Sequence, residues 1–95
     1  SLLEVAGNLA RLLRSLHAVG VAHLDVKPEN IVCRPDGRLA LIDWEHARFL
    51  DDREPVLLYG TLLYMAPELR PSGAPSPIHA GLDVWSFGAT LLQLA

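Results

Sequence analysis

The sequence lacks several features that would assign it to a specialised class of protein. It contains a single cysteine, Cys33, which excludes a framework of internal disulfides and makes a reducing, cytoplasmic compartment the expectation. No run of about 18 apolar residues occurs, so no membrane span is predicted. With a net charge of -3, the chain has no basic excess with which to attract nucleic acid or an anionic membrane.

The composition that remains is that of a small globular chain. The sequence has 95 residues, of which 51% are hydrophobic and 20% charged, and this balance favours a folded chain over a disordered one. A chain of this length forms at most one domain. Because it starts without methionine and ends within an apolar run at residues 91–95, we expect a piece of a longer domain.

Hydrophobic periodicity predicts a helix at each end of the chain. Residues 1–18 carry apolar side chains at the i, i+3, i+4 and i+7 spacing of an amphipathic helix, and Gly20 is placed to end it in the left-handed conformation. The arginines of this segment are expected on its solvated side: Arg11 and Arg14. A second helical pattern starts at Leu82. Asp83 is placed to cap this helix, and its aromatic residues are expected in the core: Trp85 and Phe87.

The central part of the sequence predicts a β-hairpin and two loops. Residues 31–33 and 38–42 read as strands, and Pro35-Asp36-Gly37 is typical of the turn between them. Cys33 follows two β-branched residues, so we expect it to be a buried strand residue. Residues 44–58 show no clean period and are interpreted as a surface loop, as is the Pro/Gly/Ser-rich stretch 71–77.

A polar loop at residues 23–30 concentrates the groups that could carry chemistry. It contains a carboxylate, an ammonium and an amide: Asp25, Lys27 and Asn30. A carboxylate can take a proton from a hydroxyl, an ammonium can neutralise phosphate charge, and an amide oxygen can bind a divalent metal. Asp43 follows the second predicted strand, from which its carboxylate can point back towards Asn30. These are the groups that phosphoryl transfer requires.

Four segments in this order resemble those of a eukaryotic-type protein kinase of the serine/threonine-like class. The polar loop is similar to the kinase catalytic loop, and Asp43-Trp44-Glu45 stands where kinases carry Asp-Phe-Gly. Residues 66–68 (Ala-Pro-Glu), preceded by Gly-Thr at 60–61 and Tyr-Met at 64–65, resemble the end of the activation segment. Residues 83–88 resemble the start of the buried helix that follows it.

The resemblance covers essentially the whole chain and implies an α+β, mainly helical fold. Residues 1–95 would be a partial kinase domain, the front of its C-terminal lobe, with the N-terminal lobe and the final helices absent. The implied cofactors are ATP and Mg²⁺, and the implied partner is a protein substrate with Ser or Thr hydroxyls. The oligomeric state is not indicated.

The resemblance also implies a role for each matched residue. Asp25 would be the catalytic base, and Lys27 would contact the transferred phosphate, as in serine/threonine kinases. Asn30 and Asp43 would bind Mg²⁺ with the nucleotide, and Thr61 would line the substrate pocket. Three further residues would be structural: His23, Glu68 and Asp83. The remaining histidines are interpreted as surface or packing residues: His17, His46 and His79.

Two departures from the kinase pattern bear on regulation and on the metal site. Leu24 replaces the arginine that receives an activation-loop phosphate in the family, and between Asp43 and Gly60 the only hydroxyl belongs to Tyr59. We therefore expect no regulation by Ser/Thr phosphorylation in that stretch. Glu45 replaces a glycine whose backbone freedom a side chain restricts, and it places a second carboxylate beside the expected metal site.

Two alternative functions remain open at this point. A pseudokinase or interaction module is favoured by Glu45 and by the absence of a Gly-rich loop and of a strand with the phosphate-binding lysine. Because these parts are absent, we also expect the isolated chain to be inactive and only marginally stable. A small-molecule phosphotransferase of the aminoglycoside or choline kinase type shares the His-x-Asp-x-x-x-x-Asn loop. Such enzymes do not carry Lys-Pro-Glu at 27–29 or the motifs at 64–68 and 83–88.

Overall fold

Two helices and two small antiparallel sheets make up the part of the fold that the structure describes. The computed structural model describes residues 1–55, 67 and 77–94. Helix α1 spans Leu2–Ala18 and helix α2 spans Gly81–Leu94. Between them lie four strands and one 3₁₀ turn, in the order β1 (Val21–Ala22), the 3₁₀ turn (Pro28–Asn30), β2 (Ile31–Cys33), β3 (Leu39–Leu41) and β4 (Arg48–Phe49). The fold is therefore mixed α/β, with more of its described residues in helices than in strands.

Helix α1 has the length and the ending that its pattern predicts. Its apolar stripe buries Leu9 and Leu13, while both arginines of its outer face are exposed. The chain then turns at Gly20, which has a φ of 84° and donates its N–H to the carbonyl oxygen of His17 over 3.0 Å. A side chain would resist this conformation, so the glycine ends the helix as expected.

The predicted hairpin at residues 31–42 is confirmed. Strands β2 and β3 pair in antiparallel register, with Ile31 opposite Leu41 and Cys33 opposite Leu39. Gly37 has a φ of 85° in the connecting turn, where the left-handed conformation favours a residue without a Cβ.

Cys33 and Trp85 differ from their predictions because both are exposed. Cys33 lies on the same face of the hairpin as Ile31 and Leu41, which pack in the core, but it stands at the turn end of its strand, where it stays exposed. Trp85 lies on helix α2 with 44% of its surface exposed. Phe87, two residues later, does pack against the core.

Strand β4 lies within residues 44–58, which the sequence predicts to be irregular. It pairs antiparallel with β1, with Val21 opposite Phe49 and Ala22 opposite Arg48. The pairing is extended by Leu50, whose N–H donates to the carbonyl oxygen of Gly20 over 2.7 Å. Strands of two residues are too short to produce an alternating pattern, so periodicity could not reveal them.

The core consists of two apolar clusters that meet the polar loop from different sides. The α1 cluster joins helix α1 to the hairpin and contains Leu9, Leu13, Val26 and Leu41. The Leu24 cluster contains Ala22, Leu24 and Leu82, with Leu50 and Ile78 packed against it. Full burial of a leucine or valine side chain contributes about 1.5–3 kcal/mol. Leu24 and Val26 therefore anchor the loop in different clusters, with Asp25 between them.

Neither α1 nor α2, the two helices of the described part of the chain, is both long and apolar enough to cross a bilayer.

Candidate active site

The polar loop brings three of the predicted site residues together. The Asp25 side chain is 7% exposed, and the Nζ atom of Lys27 lies 3.9 Å from its Oδ1 atom. The side-chain amide of Asn30 donates to both the carbonyl oxygen of Asp25, over 2.9 Å, and its Oδ2 atom, over 3.1 Å. The loop thus holds a nearly buried carboxylate between an ammonium and an amide.

The 3₁₀ turn at Pro28–Asn30 produces this arrangement. Pro28 opens the turn, where its fixed φ suits the conformation and its missing N–H leaves no donor unpaired. Lys27, before the proline, is extended with a φ of -161°, in agreement with the restriction that proline places on its predecessor. The N–H of Asn30 closes the turn on the carbonyl oxygen of Lys27 over 3.0 Å, which directs the Asn30 side chain back towards Asp25.

The orientation of Asn30 leaves its oxygen atom for another ligand. Both amide hydrogens are directed at Asp25, and no donor within the described residues reaches the Oδ1 atom. An amide oxygen is a good ligand for Mg²⁺, which prefers oxygen and retains several water molecules. Asn30 is therefore suited to bind a divalent cation on the side of its amide that faces away from Asp25.

A backbone hydrogen bond of the residue before it places Asp43 close to Asn30 in the fold. The N–H of Ile42 donates to the carbonyl oxygen of Asn30 over 2.9 Å, so the next residue, Asp43, follows at the end of β3. Asp43 is exposed and has a φ of 59°, in the left-handed region. Within the described residues no hydrogen bond joins its carboxylate to Asp25 or Asn30.

The oxygen atoms of Asn30 and Asp43 fit Mg²⁺ in their chemistry. The described part of the chain contains no cluster of three or more His, Cys, Asp or Glu side chains that could bind a metal by itself. Mg²⁺ does not need such a cluster, because it commonly binds one or two protein oxygens together with water and phosphate oxygens. A nucleotide phosphate would complete the coordination.

His23 connects the loop to the end of β3. Its ring is fully buried. The Nδ1 atom accepts a hydrogen bond from the N–H of Asp25 over 3.1 Å, so the ring proton lies on Nε2, which donates to the carbonyl oxygen of Ile42 over 3.0 Å. The ring also meets Trp44 edge to face, with centroids 4.7 Å apart. His23 therefore positions the backbone of Asp25 relative to the residue before Asp43.

Asp83 binds the loop backbone from helix α2. Its carboxylate is fully buried and accepts hydrogen bonds from two successive N–H groups, those of His23 and Leu24, each over 2.8 Å. Leu24 has a φ of 69°, and this left-handed residue turns the loop around the carboxylate. The prediction that Asp83 caps α2 is wrong, because the helix begins at Gly81 and Asp83 lies within its first turn.

His17 is the site residue that sequence reasoning missed. Its Nε2 atom lies 2.8 Å from the Oδ2 atom of Asp83, so it contacts the group that binds the loop rather than acting only as a surface or packing residue. Its position carried a usable signal, since His17 stands four residues after Leu13 on the buried stripe of α1. A polar residue at such a position has to find a buried partner.

Two of the predicted site residues, Thr61 and Glu68, lie outside the described residues, as does Tyr59. Glu45 is described: its carboxylate is 70% exposed and lies 3.4 Å from the Nε2 atom of His46. The structure therefore places five of the predicted site residues in or around one loop: His23, Asp25, Lys27, Asn30 and Asp83. It places Asp43 at the edge of that loop.

Comparison with known proteins identifies the family. The protein kinase domain family matches residues 2–95. The chain is 41% identical over 98 residues to "Protein kinase gsk3" of Schizosaccharomyces pombe, covering 98% of the chain and 25% of that relative. It is 38% identical over 91 residues to the human "Ribosomal protein S6 kinase-related protein", covering 95% and 22%. It is also 36% identical over 92 residues to "MAP kinase kinase MKK1/SSP32" of Saccharomyces cerevisiae, covering 97% and 18%.

The chain spans about a quarter or less of the length of these relatives. The match nevertheless includes the whole stretch from the start of α1 to the end of the sequence. Protein kinases as a family use ATP and Mg²⁺ and act on protein substrates. On these matches, the chain belongs to the protein kinase family.

Proposed function

We propose that this chain contributes the catalytic and metal-binding loops of a kinase that transfers phosphate from ATP to Ser or Thr hydroxyls of proteins. In this proposal residues 1–95 are the front of the C-terminal lobe of a kinase domain that acts in the cytoplasm. The isolated chain would be inactive, because the parts that cover the nucleotide phosphates in this family are not among its motifs. The similarity to relatives whose names include serine/threonine-protein kinase supports the proposal.

The observation that carries the proposal is the geometry around Asp25. One carboxylate oxygen, Oδ2, is bound by Asn30, while Oδ1 is 3.9 Å from the Lys27 ammonium. Asp25 is therefore oriented by one neighbour, and its other oxygen can accept a hydrogen bond and a proton from a substrate hydroxyl. A carboxylate held in this way can align the hydroxyl for in-line attack.

Lys27 and the metal ligands would act on the phosphate side. The Lys27 ammonium lies 3.9 Å from Asp25, and an ammonium at this place could contact a phosphate oxygen and offset charge that develops there. Asn30 and Asp43 would bind Mg²⁺, which supplies neutralisation of the nucleotide phosphates. Thr61 would line the substrate pocket, and Glu68 would be structural.

Phosphate transfer by the full-length protein tests the proposal. We expect Mg²⁺-dependent transfer of labelled phosphate from ATP to a protein acceptor, and Asp25→Ala should lower the rate by about 10²-fold or more, the usual contribution of a positioned base. Asp51→Ala is the matched control, since Asp51 is an exposed acid outside the loop and its removal should leave the rate unchanged. Equal rates for wild type and Asp25→Ala would refute the assignment of Asp25.

An interaction module without turnover is the second candidate, and Glu45 is the observation in its favour. Its exposed carboxylate lies two residues after Asp43, where added negative charge can oppose nucleotide binding. This candidate predicts no transfer by the full-length wild-type protein under any Mg²⁺ concentration. Aminoglycoside and choline acceptors in the same assay would reveal a small-molecule phosphotransferase.

A further inference from the structure

An open cleft of about 510 Å³ lies where helix α1 meets strand β3. We refer to it as the α1–β3 cleft. Its volume falls within the range of about 300–1,000 Å³ that is typical of ligand sites, so it has room for more than a single inorganic ion. Two turns of α1 and the entry to β3 supply the lining residues, none of which belongs to the polar loop: Asn8, Arg11, Leu12, Ser15, Arg38 and Leu39.

The inner wall of the cleft is apolar and is anchored in the core. Leu12 and Leu39 are both half-buried, and both pack against the α1 cluster. Because that cluster holds the two leucines in place, a ligand side chain that covers them would remove apolar surface from water without any rearrangement of the protein. The cleft is therefore already formed in the protein without a ligand.

Arg11 is held at the cleft by its own helix. Its Nη2 atom donates to the Oδ1 atom of Asn8, three residues earlier. Its Nη1 atom lies 3.6 Å from the point that a Cβ atom at Gly7 would occupy, so the side chain runs back along α1 towards the start of the helix. A guanidinium has five N–H donors in a fixed plane, and one that is bound on one edge can still present another edge to a carboxylate.

Arg38 stands on the hairpin side of the cleft and extends into water. Its side chain is 82% exposed, and its Nε atom lies 3.8 Å from the Oδ2 atom of Asp36. Its backbone is fixed, because its N–H donates to the Oδ1 atom of Asp36 over 3.0 Å and its carbonyl oxygen accepts the N–H of Arg34 over 2.7 Å. An ion pair this long and exposed contributes little, so an incoming carboxylate can compete with Asp36 for the guanidinium.

The charge of the cleft is opposite in sign to that of the whole chain. The chain has a net charge of -3, whereas the lining residues in the described part of the chain include two arginines and no acid. The only acid among residues 1–18 is Glu4, in the first turn of α1. A basic patch of this kind attracts negatively charged groups. None of these lining residues is aromatic, so the cleft offers no side chain on which a nucleic acid base would stack.

We propose that the α1–β3 cleft binds an acidic segment of a partner protein, in which carboxylates flank an apolar side chain. The carboxylates pair with Arg11 and Arg38, and the apolar side chain covers Leu12 and Leu39. Because no residue of the polar loop takes part, the proposal goes beyond the proposed function: it concerns the recruitment of a partner and does not depend on phosphate transfer.

Peptide binding to the full-length protein tests the proposal. The probe is a fluorescein-labelled Glu-Glu-Leu-Glu-Glu peptide, and fluorescence anisotropy at low ionic strength measures its affinity. The double variant Arg11→Ala with Arg38→Ala should bind it about tenfold more weakly, which corresponds to the loss of two surface ion pairs. No detectable binding to the wild type would overturn the proposal.

The matched control removes the same charge from the same two elements. Arg14→Ala with Arg34→Ala replaces two exposed arginines that are not among the lining residues of the cleft, and it should change the affinity by less than about twofold. Equal losses in the two double variants would show general charge attraction without a site, and would overturn the proposal.

Further probes identify the ligand. Replacing the central leucine of the peptide by glycine should weaken binding by about threefold or more, since the apolar contact is lost, and an unchanged affinity would contradict the role of Leu12 and Leu39. Tighter binding of inorganic phosphate or of a single-stranded oligonucleotide, lost in the Arg11 and Arg38 double variant, would overturn the assignment to an acidic peptide. Peptide binding without any phosphate transfer from Mg²⁺-ATP would refute the proposed function and support the docking site.

Discussion

The two halves of the candidate site are built in different ways. Most of the polar loop at residues 23–30 is buried, although Glu29 is exposed. Its backbone is bound by Asp83, which is 60 residues away along the chain from His23. The turn at residues 43–45 is exposed throughout. Its hydrogen-bond support is local, from Trp44 Nε1 to the carbonyl oxygen of Leu41 over 3.1 Å, and the Trp44 ring also contacts the buried His23 ring edge to face.

This difference separates stability from ligand binding. A buried hydrogen bond to a charged group is costly to break, because the partners left behind remain out of water. An exposed carboxylate can be replaced with little structural effect, because water solvates whatever remains. Substitutions that remove buried partners of the polar loop should therefore lower the free energy of unfolding. Substitutions in the exposed turn should instead change the affinity of the site for its ligands.

The largest expected effect comes from Asp83→Ala. The change leaves two buried backbone N–H groups without an acceptor, and it removes the partner of His17, so the free energy of unfolding should fall by about 3 kcal/mol. Urea denaturation of wild type and variant measures the loss. Asp36→Ala, in the exposed hairpin turn, serves as the control. A change below about 0.5 kcal/mol in Asp83→Ala would contradict the role given to this network.

Asp43→Asn should leave the stability of the protein unchanged and weaken its binding of Mg²⁺. The exposed side chain contributes little to the fold, so the unfolding free energy should stay within about 0.5 kcal/mol of wild type. Loss of a carboxylate ligand should raise the Mg²⁺ concentration needed for half-maximal transfer by about tenfold, equivalent to about 1.4 kcal/mol. Titration of the transfer rate with Mg²⁺ measures the shift. An unchanged Mg²⁺ requirement would remove Asp43 from the metal site.

A smaller effect is expected for His17→Ala, which removes one of the three donors to Asp83. We expect a loss of about 1 kcal/mol in unfolding free energy, measured in the same urea experiment. Ser15→Ala provides the control, because Ser15 is exposed on the same helix. If His17→Ala were as damaging as Asp83→Ala, the loop would depend on the whole network rather than on the backbone hydrogen bonds.

The smallest expected effect is on the pKa of Asp52, whose carboxylate is bound by residues close to it in the sequence. The pKa of Asp52 lies below its usual value of 3.8, chiefly through the backbone N–H of Glu54 and then through Arg48. The stabilising contribution of this carboxylate is therefore present above that usual value and is lost as the pH falls through the lowered pKa. Carboxyl-carbon NMR should place the midpoint below 3.8, and Arg48→Gln should move it upwards. A midpoint at or above 3.8 in the wild type would contradict the contact.

The sequence predicted the features that depend on local pattern. The α1 stripe, the left-handed Gly20 and the hairpin turn at residues 35–37 follow from periodicity and from the conformations that glycine and proline favour. The grouping of the polar loop residues could also be predicted, because Asp25, Lys27 and Asn30 stand close together in the sequence. In the structure they are joined by the 3₁₀ turn.

The features that were missed depend on partners far away in the sequence. Strand β4 is recognisable only through its pairing with β1, and His17 only through Asp83, which is 66 residues distant. Cys33 was predicted to be buried from its apolar neighbours, but burial is decided by what covers each part of a sheet face. Such information belongs to the tertiary fold and is absent from any local window.

Leu24 and Asp43 both adopt the left-handed backbone conformation, which influences the residues that selection favours at such positions. Both residues have positive φ, a conformation that costs an ordinary side chain about 1–2 kcal/mol relative to glycine. Glycine at position 43 would relieve that cost and would also erase the carboxylate proposed to bind Mg²⁺. Selection for thermal stability alone should therefore enrich glycine at position 43. On the proposed metal-binding role of Asp43, this position would be a compromise between stability and phosphate transfer.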